Sequence, residues 1–199
     1  PGPDPRSPRP GVRATAAVNR RLLSRPGRRV LLLNLWVPNG LVAGCSALFI
    51  PHSPQHAGLL LAAGSIGTAA GDLLVGRLFT ARARRRSAFP LRLLLAAPWP
   101  LFLLDPPPAV LAAAVLAASL GYAASLPLQE RLLAATPEAE RGQVQGVDAA
   151  GRPAWQGLGA VVAGAVAQVV GPAGAMAVVA GLSLAVTVAS RPFAARAGA

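Results

Sequence analysis

Four polar side chains, Ser119, Tyr122, Ser125 and Gln129, stand in a stretch built mainly of Ala and Leu. At 100° per residue they fall within an arc of about 120° on one helix face. A polar stripe on so apolar a helix faces protein or a water-filled cavity rather than lipid. It can line a solute pathway, or make interhelix hydrogen bonds worth only ~0.6 kcal/mol per pair. A second candidate stretch carries Asn34, Trp36, Pro38 and Asn39. Asn34 and Pro38 share a face, whereas Asn39 is turned well away. The proline can unwind the helix and bare carbonyl groups toward a substrate, or act as a plain kink.

Asp72 is the most costly of these groups, because a carboxylate inside a membrane helix costs about 2.5–3.5 kcal/mol on insertion scales. It can couple transport to a proton or cation, or form a structural ion pair with Arg77 or Arg152. Asp72, Ser65 and Thr68 lie on one stripe, and Gly64, Gly67 and Gly71 on another suited to close helix packing. Asp148 and Arg152 are spaced i,i+4 and can pair on one helix face, which Trp155 and Gly159 continue. His52 and His56 could suggest a metal, but Pro54 breaks the helix that would align them. No carboxylate or cysteine stands nearby, so they read as loop histidines with no metal. Cys45 is the one cysteine. No Gly-Lys-Ser/Thr phosphate loop is present, and both histidines fall outside the apolar spans, away from any intramembrane serine. No enzyme and no cofactor is expected.

The elements that position these residues follow from composition. The chain has 199 residues, 53% hydrophobic and 13% charged, with mean hydropathy +0.50. A soluble domain is about a quarter charged. The apolar residues come in long runs, and about 20 suffice to cross a ~30 Å hydrocarbon core. Six spans are expected, at 30–50, 57–79, 88–104, 109–133, 144–170 and 173–190. The third is short and holds Pro90, Pro98 and Pro100. Residues 1–29, rich in Pro and Arg, read as a disordered linker with a helical tendency near 18–23. Residues 191–199 read as a tail. The chain opens on Pro1, and 1–29 hold no apolar core of signal-peptide type, so a fragment or lost upstream sequence is expected.

The net charge of +12 is carried by 19 basic residues, all arginine. Nucleic-acid binding is set aside, since a chain this apolar has little polar surface on which to display them. Eight arginines precede Val30, six lie from Arg77 to Arg92, three from Arg131 to Arg152 and two beyond Ser190. With six spans all fall on one side, and the opposite loops, "PHSPQH", "DPPP" and "GPAG", hold none. The positive-inside rule makes that side cytoplasmic, with both termini inside and the inner (plasma) membrane as location. The densest cluster, "GRLFTARARRR" at 76–86, then forms the second cytoplasmic loop, able to contact anionic lipid.

That cluster resembles the Gly-x-Leu-x-Asp-Arg-x-Gly-Arg-Arg loop of the major facilitator superfamily. Gly76, Leu78, Arg84 and Arg85 match it, while Thr80, Ala81 and Ala83 replace its Asp, first Arg and second Gly. The stretch with Glu140, Arg141, Gly142, Gly146, Gly157, Gly159, Gly164 and Gly171-Pro172 is similar to the family's fourth loop and penultimate helix. "ALFIPHSPQHAGLLLAAGSIGTAAG" resembles its seventh-to-eighth helix region. The resemblance implies an all-α integral membrane protein of six transmembrane helices, the C-terminal half of such a bundle. The missing N-terminal six-helix half is then the expected partner, beside the lipid bilayer and a small-molecule substrate. A small solute would move by alternating access, with export of an apolar compound preferred. The first and fourth helices of the half would line the pathway, with Asn34, Trp36, Asn39, Ser119, Tyr122, Ser125 and Gln129. Coupling or gating would fall to Asp72, Gly76, Arg77, Arg84, Arg85, Asp148 and Arg152. The competing expectation is a non-transporting six-span protein, a permease-like subunit or an inactive remnant.

Overall fold

Helices account for nearly all of the described residues, as expected where backbone groups must be satisfied without water. A computed structural model describes residues 19–20 and 23–196, with side chains as far as Arg191. Helix α1 spans Pro26–Ala47, and a short α2 spans Phe49–His52. Helix α3, Ala57–Leu73, runs on into a π-helical turn, Leu74–Leu78. Helix α4 spans Ala81–Ala96 and tightens into a 3₁₀ segment, Trp99–Leu104, where Pro98 and Pro100 remove backbone donors. Helix α5, Pro108–Leu120, passes through a 3₁₀ turn, Gly121–Ala124, into α6, Ser125–Ala134. Helix α7 spans Glu138–Arg196.

Where the sequence predicts six separate spans, five helices are long and apolar enough to cross a membrane. The fifth and sixth spans are joined in α7, which holds one non-helical residue, Gly171 (φ 75°, ψ 167°). Only glycine takes that conformation without strain. The two legs of α7 pack on α1 in opposite directions. In the first leg Asp148 meets Trp36, Trp155 meets Gly40 and Gly159 meets Gly44, so both helices run the same way. In the second leg Met176 meets Cys45, Ser183 meets Pro38 and Ser190 meets Asn34, so the direction is reversed. Helix α7 is therefore a hairpin folded at Gly171.

The cytoplasmic loops expected from the sequence are nearly absent. Only Phe79 and Thr80 separate the π turn from α4, so the arginine cluster is the first turns of a helix. Thr80 Oγ1 accepts from the Ala83 N–H (3.3 Å), an N-cap that Asp supplies as readily. Ala and Arg are both strong helix formers, and nothing interrupts them before Pro90. Helix likewise takes 138–143, expected as loop, Pro26 to Arg29, expected as linker, and 191–196, expected as tail. The rest of the linker reading falls largely outside the described residues, although Asn19, Arg20 and Leu23 are helical.

Glycines set how closely the helices approach. A Cβ at Gly67 would lie 2.9 Å from Ser119 Cβ, and one at Gly71 would lie 2.7 Å from the Leu120 carbonyl oxygen. Helices α3 and α5 thus pack nearly backbone to backbone along the glycine stripe. At the loop-rich end Phe49, Trp99 and Phe102 stack with centroids 5.7–6.2 Å apart. At the arginine-rich end Leu31, Leu32, Leu35, Leu128, Leu132 and Val144 form a second core. Ile66, Leu104, Val161 and Val169 point outward, fully in keeping with a bundle whose solvent is lipid.

Candidate functional site

A cavity of about 330 Å³ opens where α1, α3, α6 and the first leg of α7 converge. Leu35, Trp36 and Asn39 line it from α1, and Thr68 and Asp72 from α3. Tyr122, Ser125, Leu126 and Gln129 contribute from the 3₁₀ turn and α6, and Arg152 and Gln156 from α7. Only Leu35 and Leu126 are wholly aliphatic. Five of the seven residues that the sequence puts on a pathway line it, Trp36, Asn39, Tyr122, Ser125 and Gln129, and Asp72 and Arg152 of the coupling or gating set join them.

Asp148 forms the wall behind these groups. Its Oδ1 accepts from Trp36 Nε1 (3.1 Å) and Arg152 Nε (3.2 Å), and its Oδ2 accepts from Gln129 Nε2 (3.1 Å) and from Arg152 Nη2. One carboxylate, with its side chain 6% exposed, thereby ties α1, α6 and α7 together. The i,i+4 pair with Arg152 is legible in sequence. The partners Trp36 and Gln129 come from 112 and 19 residues away.

Arg152 is thus committed to Asp148. Asp72 lines the cavity and forms no ion pair among the described residues, with neither Arg77 nor Arg152 as its partner. The structural ion pair weighed for Asp72 is therefore corrected: Asp148 reaches Arg152 first, from the preceding turn of the same helix. Asn39 Nδ2 donates to Ser125 Oγ (3.1 Å), which donates onward to the Tyr122 carbonyl (2.7 Å). The other end of that amide, Oδ1, is buried with no partner. The cavity thus offers one unpaired carboxylate and one unpaired amide oxygen, both hydrogen-bond acceptors.

Two expected lining residues lie elsewhere. Ser119 is buried against the Gly64 and Gly67 positions of α3, whose missing side chains let the helices close over it. Asn34 faces the opposite side of α1, where Nδ2 donates to the Val30 carbonyl (3.1 Å) and Oδ1 accepts from Ser190 (2.9 Å). Pro38 has no N–H to return to the Asn34 carbonyl four residues back. That bared carbonyl accepts from Arg92 Nη2 rather than from a substrate, and α1 continues unbroken.

The motif residues have local explanations. Arg84 Nη1 donates to the Gly76 and Phe79 carbonyls (3.3 Å each), which the end of α3 leaves unsatisfied, and Arg84 Nε pairs with Glu130 of α6 (3.0 Å). Arg77 is exposed. A Cβ at Gly76 would meet only Leu126 Cδ1, at 3.8 Å, so packing does not demand glycine there. Arg85 lines a second, smaller pocket. His52 packs edge-on to Phe102, and His56 shares a hydrogen bond with Ser53 (3.0 Å). Among the described residues no group of His, Cys, Asp or Glu could hold a metal. Thr68 and Gln156 are lining residues that a site list drawn from sequence omits. The spacing Asp148, Arg152, Gln156 could have found the latter, as one ridge of α7.

A bundle of long apolar helices around a polar cavity defines a multi-pass α-helical membrane protein. The pattern of the Major Facilitator Superfamily matches residues 40–196, and the chain belongs to that family. Membership gives it a secondary transporter's role in general and not an enzyme's. No curated protein and no solved structure matches the chain.

Proposed function

We propose that the chain forms one six-helix half of an alternating-access carrier, with the 330 Å³ cavity as its share of the solute pathway. The apolar range of α7 covers 54 residues. At 1.5 Å per residue this is about 80 Å, well over twice a ~30 Å core. Folded at Gly171, it supplies the fifth and sixth crossings. All arginines then share the cytoplasmic side of the plasma membrane, with both termini inside. A second six-helix half, the N-terminal one, would close the pathway from the opposite side and rock against this one.

The observation that carries the reading is Asp72, an unpaired carboxylate facing the same cavity as Trp36, Asn39, Tyr122, Ser125 and Gln129. It is the group free to take a proton or cation during the cycle. Asp148 and Arg152 act as the clamp holding α1, α6 and α7 at the gate. The lining is amide, hydroxyl, aromatic and carboxylate, which fits a small polar solute with a hydrogen-bond donor. That is a different preference from the apolar export substrate inferred from the sequence.

The test is gradient-driven uptake by the assembled carrier carrying Asp72→Asn. Accumulation against a gradient should fall at least about tenfold while solute exchange persists, because binding survives and coupling does not. Unchanged accumulation and unchanged pH dependence would remove Asp72 from the cycle.

A further inference from the structure

On the far side of α1 from the cavity lies a second pocket, of about 180 Å³, with a different chemistry. Five arginines line it: Arg85, Arg86 and Arg92 of α4, Arg131 of α6 and Arg191 of α7. No carboxylate lines it. Glu130, the nearest acid in sequence to Arg131, is bonded to Arg84 instead.

Arg92 sits at the bottom, 3% exposed. Its Nη2 donates to the Asn34 carbonyl, but Nε and Nη1 are buried with no partner among the described residues. Thr187 Oγ1, in the same pocket, is also buried and unpartnered. Arg191 is held over the Phe89 ring, 4.5 Å from its centroid, which fixes the guanidinium at the rim. Five like charges around unsatisfied buried donors cost energy until an anion fills the space. Guanidinium forks match the oxygens of a phosphate in paired N–H···O geometry. The volume lies below the ~300–1,000 Å³ of sites for drug-sized ligands, so the occupant is a headgroup or a small anion.

We propose that this pocket binds a phosphate-type anion, either the phosphodiester headgroup of an anionic lipid or free phosphate. Thr187 and the unpartnered Arg92 nitrogens donate from below, while Arg85, Arg86, Arg131 and Arg191 close around the rim. The site holds α4, α6 and the second leg of α7 together at the arginine-rich end. It stands apart from the solute cavity and does not depend on the transport reading.

The full chain in non-ionic detergent, titrated in two arms, tests this. One arm adds inorganic phosphate, and the other adds phosphatidylglycerol against phosphatidylcholine, each followed by thermal unfolding. Wild type is expected to be stabilised in at least one arm. Stabilisation by phosphate identifies a free-anion site; stabilisation by phosphatidylglycerol alone identifies a lipid headgroup site. Arg131→Gln, which removes a half-buried rim charge with no structural bond, should raise the half-saturating concentration about tenfold, the loss of one charge-assisted contact. Arg92→Gln should do so more strongly. Arg29→Gln, an exposed arginine at the same end but outside the pocket, should shift it by less than about twofold. Absence of stabilisation in both arms overturns the proposal. So does binding indifferent to Arg131→Gln, or weakened equally by Arg29→Gln.

Discussion

Asp148 accepts hydrogen bonds from three side chains on three elements, so its loss is felt beyond its own helix. Asp148→Asn removes the charge that holds Arg152 while keeping the shape. The Arg152 side chain is 31% exposed, so water relieves part of the loss. Expected destabilisation is about 1–3 kcal/mol, less than the 3–5 of a fully buried pair. Adding Arg152→Gln to Asp148→Asn should recover part of the lost melting temperature, because the uncompensated cation goes with it. Thermal unfolding of the single and double variants checks this. A double variant no more stable than the single would mean that Trp36 and Gln129, not Arg152, are the partners that matter.

At the scale of helices, the glycines sort into two kinds that look identical in sequence. Gly157, Gly159 and Gly164 all belong to one motif-like run, yet a Cβ at Gly157 or Gly164 meets nothing within 4 Å. A Cβ at Gly159 would collide with the Gly40 carbonyl, where α7 crosses α1. Gly157→Ala should therefore be neutral or stabilise by up to ~1 kcal/mol through helix propensity. Gly159→Ala should lower the melting temperature clearly, and Gly159→Leu should abolish a folded, monodisperse peak on size exclusion. The distinction is a matter of which helix lies opposite, and one chain's periodicity carries no record of that. Helix positions and the Ser125–Gln129 face were legible, since apolar run length and 100° phasing are local properties. Helix ends were misread at the arginine cluster because a dense run of charge between two apolar runs suggests loop, although Thr80 caps and Ala-Arg favours helix. Ser119 shares the phase of the cavity stripe and was lost to it through Gly64 and Gly67 on α3, a partner that pattern alone does not reveal. Asn34 was misplaced for a related reason: a carbonyl bared by Pro38 has a taker, Arg92, more than 50 residues away.

For the whole molecule, the decisive quantity is the number of crossings, and α7 is where it turns. A single crossing would leave more than half of the 54-residue range Glu138–Arg191 outside the hydrocarbon core, including a long apolar run that water does not tolerate. The native cysteine makes a clean probe possible. Cys45 is fully buried, so the unaltered chain should be silent to an impermeant maleimide in intact cells. Gln55→Cys, between α2 and α3, should label from outside, whereas Arg82→Cys, in the first turn of α4, should label only after permeabilisation. Gly174→Cys, just beyond the hairpin bend, separates the two topologies: with six crossings it labels in intact cells, and Glu138→Cys at the start of α7 does not. Labelling of Arg82→Cys from outside would invert the arginine-rich face and with it the cytoplasmic placement of the pocket around Arg92. Protection of Gly174→Cys on both sides would bury the bend within the bilayer, leaving a re-entrant α7 and four crossings, with both ends of α7 still on one face. A straight α7 crossing once would instead put the chain's two ends on opposite faces, and its second leg could not bring Arg191 back over the Phe89 ring, where the structure has it.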